Sequence, residues 1–232
     1  MIEDIIRSCM ELDFQSFILA DPALIVYLRK QRVDCQIHLS GETGENNRKM
    51  LETFQNLDLK RMIFHRKNTI EDMASMIAAR KTAGEKRSGT EFEAFVLNEL
   101  CQFSGSFCNS LHCDELGHLC RVPYWLCPQK AEDPGWKNRL EVIRKEESLP
   151  ERDDYLCGAG GCGLGALYRL QKAGITHLKL VGRGNHSEDM KADIQNLHKS
   201  LTILKTAGSE AEYCRQMKQQ IFPAGCSRQC YY

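Results

Sequence analysis

The sequence predicts an α/β fold, a shortened TIM-barrel-like parallel βα array that carries a cysteine-rich irregular insertion. Three observations predict it. Short apolar runs alternate with helix-period segments of about ten residues through the first ninety positions, the pattern of parallel βα units. That rhythm breaks off near residue 91, in a stretch holding Cys101, Cys108, Cys113, Cys120 and Cys127, and it returns after residue 151. A chain of 232 residues with 42% hydrophobic and 27% charged side chains has an ordinary globular balance and can bury a real core. The expected organisation is a single α/β domain over 1–232. Residues 1–90 are βα units, 91–130 a cysteine-rich signature segment, and 151–232 returning βα units with C-terminal helices.

Each element has its own signal. IEDIIRSCMELD reads as a helix, FILAD as a strand, PALIVYLRKQ as a helix and CQIHLS as a second strand. A polar GETGENN loop then leads into the helix RKMLETFQNL, followed by the strand RMIFHR and the helix TIEDMASMIAARK. Asn68-Thr69 ahead of Glu71 and Asp72 marks that helix start, because acidic residues in a first turn favour the helix dipole. A charged break, KTAGEKRSGTEFE, precedes the strand EAFVLNELC. Beyond the insertion and a highly charged stretch, LGALYRLQKAG is a helix, HLKLVGR a strand, and 187–220 two polar helices. Four to six strands fall short of eight. A complete barrel needs about 250 residues, so the residues alone leave an abbreviated barrel or an open sheet.

Composition bounds the chemistry. With 31 basic and 31 acidic residues there is no global pull toward nucleic acid or membrane. No apolar run approaches the roughly 18 residues of a membrane span, and the acidic start MIEDIIRSCMELD does not resemble a secretory signal. A cytoplasmic location is expected. In a reducing compartment, clustered cysteines point to metal binding or catalysis rather than to disulfides. Thiolates favour iron-sulfur clusters and zinc, and four are the usual complement of a four-iron cluster. Cys101 and Cys108 flank the small residues Ser104-Gly105-Ser106, Cys120 follows, and Cys157 and Cys162 arrive from a distant segment. The alternative for each thiol taken singly is simple burial.

Other signals are weaker. Gly158, Gly160 and Gly163 match G-x-G-x-x-G ahead of a helix, but no good strand precedes them and no acidic residue closes the next strand. A turn that lets Cys162 approach a cluster is the plainer reading. His38 and Arg183 end apolar strands at the rim where βα loops gather. No Ser-His-Asp order and no H-E-x-x-H helix is visible, so known protease chemistry has no local support. At the end of the chain Cys226 and Cys230 lie four apart, and with Cys214 they suggest either a second metal site or a mobile tail.

The run EAFVLNELCQFSGSFCNS, then GHLCRVPY and AGITHLKLVGR, resembles the bacterial collagenase-like family known as peptidase unknown-type family 32. In this chain the signature reads as a Glu-x-Phe strand, a Cys, a Ser-Gly-x-x-Cys turn and a later Cys-Arg-x-x-Tyr, specific over about residues 91–183. The resemblance implies a barrel-like α/β domain and, from the better understood members, an oxygen-sensitive 4Fe-4S cluster on four cysteines. Carried over by position, the ligands are Cys101, Cys108, Cys120 and Cys162, with Cys157 or Cys113 as substitutes and zinc as the alternative metal.

The same resemblance implies hydroxylation of an RNA base or a quinone ring without molecular oxygen. His38, Arg66, Glu93 and Arg183 are then the candidate catalytic rim residues. The family label implies the alternative of a collagenase-like peptidase, and family members that work in pairs imply a hetero-dimer with a related member, in which this chain is a non-catalytic subunit. The chain departs from the pattern at three rim positions. Leu97-Asn98-Glu99 stands where many members have His-Gly-Ala, His65-Arg66-Lys67 where they have Ala-Arg-Glu, and Val181 where they have Glu. The chain begins where a second or third βα unit is expected, so a shortened member is anticipated.

Overall fold

The computed structural model describes residues 2–44, 46–54, 57–82, 89–98, 155–182 and 185–232. By internal contacts the chain divides into Met1–Asn109 with Cys157–Tyr232, and Ser110–Leu156. The elements named below all belong to the first unit. In chain order they are α1 (Ile2–Glu11), β1 (Ser16–Leu19), α2 (Pro22–Lys30), β2 (Gln36–Leu39), α3 (Arg48–Phe54), β3 (Leu59–Ile63), α4 (Ile70–Thr82) and β4 (Glu91–Leu97). After the insertion come α5 (Leu167–Ala173), β5 (His177–Leu180), α6 (Ser187–Thr206) and α7 (Glu210–Gln220).

All five strands are parallel and lie in sequence order, β1-β2-β3-β4-β5. An order without reversal has no switch point. Right-handed crossovers then place successive helices on one face of the sheet, and α3 packs on α4, α4 on α5, and α5 on α6 and α7. The sheet curls into a half-barrel, which settles the alternatives in favour of the abbreviated barrel.

Local chemistry explains the boundaries. Pro22 opens α2 behind Asp21, whose carboxylate accepts from the Ala23 N–H at 2.8 Å. Thr69 caps α4: its hydroxyl accepts from the Asp72 N–H at 3.1 Å and donates to the Asp72 carboxylate at 2.8 Å. Arg29, in the last turn of α2, donates to the carbonyls of Val33, Cys35, Leu57 and Asp58 at 2.9–3.2 Å. One guanidinium thereby ties together the loops that feed β2 and β3.

Period-two alternation divides the strands between two environments. Ile37, Leu39, Met62, Phe92, Ala94 and Val96 join the main core with Ile25, Leu28, Met73, Ile77, Leu167 and Leu170 from the helices. The register leaves the other strand positions for the concave face: His38 beside Arg61, Arg61 beside Glu91, Ile63 beside Glu93, Glu93 beside His177, and Phe95 beside Lys179. Glu91 and Phe92, expected to lie in the charged break, are therefore strand residues. The Glu91 charge is tolerated because Arg61 sits opposite, and Phe92 joins the core.

β4 ends at Leu97, earlier than the apolar run suggests, because Asn98 takes φ 66°. A register shift between Phe95 and Leu97 also takes Val96 out of the β4–β5 pairing, which resumes at Leu97 and Leu180. The segment 157–163 occupies the opening: the Gly163 N–H donates to the Val96 carbonyl at 2.7 Å and the Asn98 N–H to the Gly161 carbonyl at 2.9 Å. A Cβ on Gly163 would lie 3.1 Å from the Phe95 carbonyl oxygen, so glycine is what permits this approach.

Candidate functional site at the mouth of the half-barrel

The concave face carries two layers of polar chemistry. The lower is an ion network. Arg61 donates to Glu91 at 2.9 Å and to Glu93 at 2.8 Å, while Lys60 reaches Glu91 at 3.1 Å. His177 Nε2 lies 3.8 Å from Glu91, and Lys179 Nζ 4.0 Å from Glu93. Arg61 holds the Glu91 carboxyl down to about 2 against the opposing effect of burial, with Lys60 adding to the depression. His38, in register with Arg61, has its pKa lowered by burial first and by Arg61 next. The imidazole is therefore neutral at neutral pH.

The upper layer lies where the strands end. Arg66, three residues beyond β3, is only 9% exposed; it donates to the Glu42 carboxylate at 2.6 Å and its guanidinium carbon sits 4.0 Å from the centroid of the Phe95 ring. Its Nε is buried and has no hydrogen-bond partner among the described residues. Lys179 Nζ lies 5.5 Å from the same ring. The GETGENN loop supplies Glu42 and also Asn46, whose side chain donates to the Ile63 carbonyl at 3.1 Å, while Asn68 donates back to the Asn46 carbonyl at 2.8 Å. These two asparagines join the loops after β2 and β3.

Asn98 organises the other side of the mouth. Its Nδ2 donates to the Asp193 carboxylate on α6 at 2.6 Å and to the Val181 carbonyl at 3.2 Å. Its positive φ is a conformation asparagine tolerates better than most side chains. The position thus combines a glycine-like backbone with a side-chain clamp. Cys162 is 8% exposed and Cys157 6%, both against this strand end. Burial pushes the Cys162 thiol up to about 12, with Cys157, Cys230 and Cys226 adding to the rise.

The sequence-predicted residues divide accordingly. Arg66 is at the rim as expected. His38 and Glu93 lie one layer below it, the third residues of β2 and β4, and Glu93 is engaged with Arg61 rather than open at the mouth. Cys162 is at the rim, whereas Arg183, Cys101, Cys108, Cys113 and Cys120 lie outside the described residues. Among the described residues no group of three or more His, Cys, Asp or Glu could hold a metal ion. The second site imagined for the C-terminal cysteines does not take helical form: Cys214 is on α7, while Cys226 and Cys230 lie in an extended segment beyond it. The glycine motif follows no strand and forms a turn into a short 3-10 segment at Leu164–Ala166. Glu42, Phe95, Asp193, Tyr231 and Tyr232 were not foreseen, with the Phe95 alternation within β4 the one signal among them, and Asn98 was marked only as an altered rim position.

Among the described residues no helix is long and apolar enough to cross a membrane. A family model, peptidase family U32, matches residues 1–232. No curated protein matches, and no solved structure matches.

Proposed function

Because the chain belongs to peptidase family U32, we propose that it is an iron-sulfur protein acting in oxygen-independent hydroxylation of a planar ring, an RNA base or a quinone. The observation that carries the reading is the buried Cys162 thiol at the mouth of the half-barrel, on a segment bonded to the end of β4. Cys101 follows Asn98 by three residues in the sequence. A thiol buried without a cation resists ionisation, and a metal relieves that cost, so a soft-metal group would account for burying Cys162 at this corner. Cys101, Cys108, Cys120 and Cys162 would hold it, and when bound it supplies one-electron chemistry.

The chain's own residues would do the rest. Arg66 and Phe95 offer a flat cationic and aromatic surface to a ring, with the Arg66 Nε–H free to donate to a ring oxygen. Neutral His38 can accept a proton in the layer beneath, close to the charge of Arg61 and Glu93. Arg183 is carried over as a further substrate contact.

Anaerobic purification with iron, sulfide and zinc analysis tests the reading. Near-stoichiometric iron and sulfide, and a brown absorption lost in Cys108→Ser, are expected. Zinc, an unchanged spectrum in the variant, or chelator-sensitive digestion of gelatin would overturn it. A second reading, a non-catalytic subunit paired with a related family member, is favoured by the uncovered edge of β1. There Phe14 is 63% and Ile18 54% exposed. Co-purification with such a member is expected on that reading, and hydroxylation by the isolated chain would defeat it.

A further inference from the structure

Beyond α7 the chain turns at Gly225, φ 109°, and residues 226–232 run back across the mouth of the half-barrel. Little apolar packing holds residues 226–230, of which all but Ser227 are exposed. Hydrogen bonds hold them instead. Ser227 Oγ donates to the Gly158 carbonyl at 2.8 Å, the Cys162 N–H to the Gln229 carbonyl at 2.7 Å, and the Tyr231 N–H to the Cys162 carbonyl at 3.0 Å.

Two phenol rings complete the closure. Tyr232 packs over Gly163 and donates its hydroxyl to the Phe95 carbonyl at 3.1 Å. Tyr231 donates its hydroxyl to the Asn98 carbonyl, and its ring centroid lies 6.4 Å from that of Phe95. The acceptors are carbonyls at the C-terminal end of β4, around its register shift against β5. Arg66, nine-tenths buried with its Nε unpartnered among the described residues, stacks on the same Phe95.

We propose that residues 226–232 are a displaceable strap whose tyrosines occupy the ring cleft from within, and that a hydroxyl-bearing aromatic ring binds by taking their place. This rests on the reading of the mouth as the substrate site, and it names phenol-type chemistry as what the cleft recognises. Displacement breaks the latch of backbone bonds and lifts the Tyr232 ring off the edge of the core, while the helix and strand residues of that core keep their contacts with one another. The strap also covers Cys162, so the same movement uncovers the thiol.

The test compares the full chain with Tyr231→Ala/Tyr232→Ala, using p-cresol, the tyrosine side chain itself, as the probe. If the strap closes most molecules, apparent affinity falls by the open fraction, so the double variant should bind p-cresol at least about tenfold more tightly. Ser227→Ala, which removes one latch bond and keeps both rings, should show a smaller gain of the same sign. In the wild type, saturating p-cresol should speed trypsin cleavage after Arg228, because cleavage follows the open population. Equal affinity in the two proteins, or binding to neither, overturns the proposal, as does a double variant that only loses thermal stability. The brown absorption, recorded on the same samples, judges the hydroxylation reading separately: its absence would defeat that reading while the p-cresol titration still decides the strap.

Discussion

Arg66 shows at the scale of one residue how a site is kept ready. The guanidinium is nearly out of water, yet Glu42 at 2.6 Å and the Phe95 face at 4.0 Å replace part of its hydration. Arg66→Met leaves Glu42 without its partner in a half-buried setting and should cost about 1–3 kcal/mol in urea denaturation. Arg66→Lys should recover less than half of that, since an ammonium cannot stack and pair at once. Asn98 gives a second comparison. Asn98→Gly keeps the positive φ and loses the Asp193 and Val181 bonds, whereas Asn98→Ala loses the bonds and adds strain. The alanine variant should therefore be the less stable by about 1 kcal/mol.

Among the elements, the junction of β4 with the segment 157–163 bears the consequence of the register shift. Once Val96 leaves the β4–β5 ladder, its carbonyl needs another donor, and the Gly163 N–H provides it. Gly163→Ala would set a methyl 3.1 Å from the Phe95 carbonyl oxygen and 3.3 Å from Val96 Cα, so thermal denaturation should show a loss of about 1–3 kcal/mol. Gly165→Ala meets nothing within 4 Å and should be neutral or slightly stabilising. The elements themselves were legible in the sequence. Every strand and helix expected outside the insertion exists, because each has its own apolar period or cap. The end of β4 was not legible: Leu100 and Cys101 resume apolar character after Asn98-Glu99, and the φ of Asn98, which hydropathy does not encode, is what stops the strand.

For the whole molecule, the concave face links stability to pH. Glu91 titrates near 2 in the folded chain against an ordinary 4.5, so the unfolded chain binds more protons between those values. Its contribution is present above about 4.5 and is lost as pH falls toward about 2. Glu91→Gln should lower stability by about 1 kcal/mol at pH 7, and the gap from wild type should close as unfolding is measured at progressively lower pH. His38 acts in the same direction at higher pH. Its folded pKa is depressed, so its contribution is complete above the ordinary 6.5 and is lost as pH falls through the lower folded value.

Alternating apolar runs, capping residues and the spaced thiols are local properties, and by themselves they determined the βα architecture, a sheet of four to six strands and the family resemblance. The family resemblance also named Arg66 as a rim residue, and the end of the apolar run RMIFHR put it just beyond a strand. Only the tertiary structure decided that His38 and Glu93 lie below the rim, since parallel register sets which side chains share a layer. It alone brought the Tyr231 hydroxyl to Asn98, 133 residues away, and the Tyr232 hydroxyl to Phe95, 137 residues away. Contacts across such separations depend on chain path and backbone geometry, which no local pattern encodes.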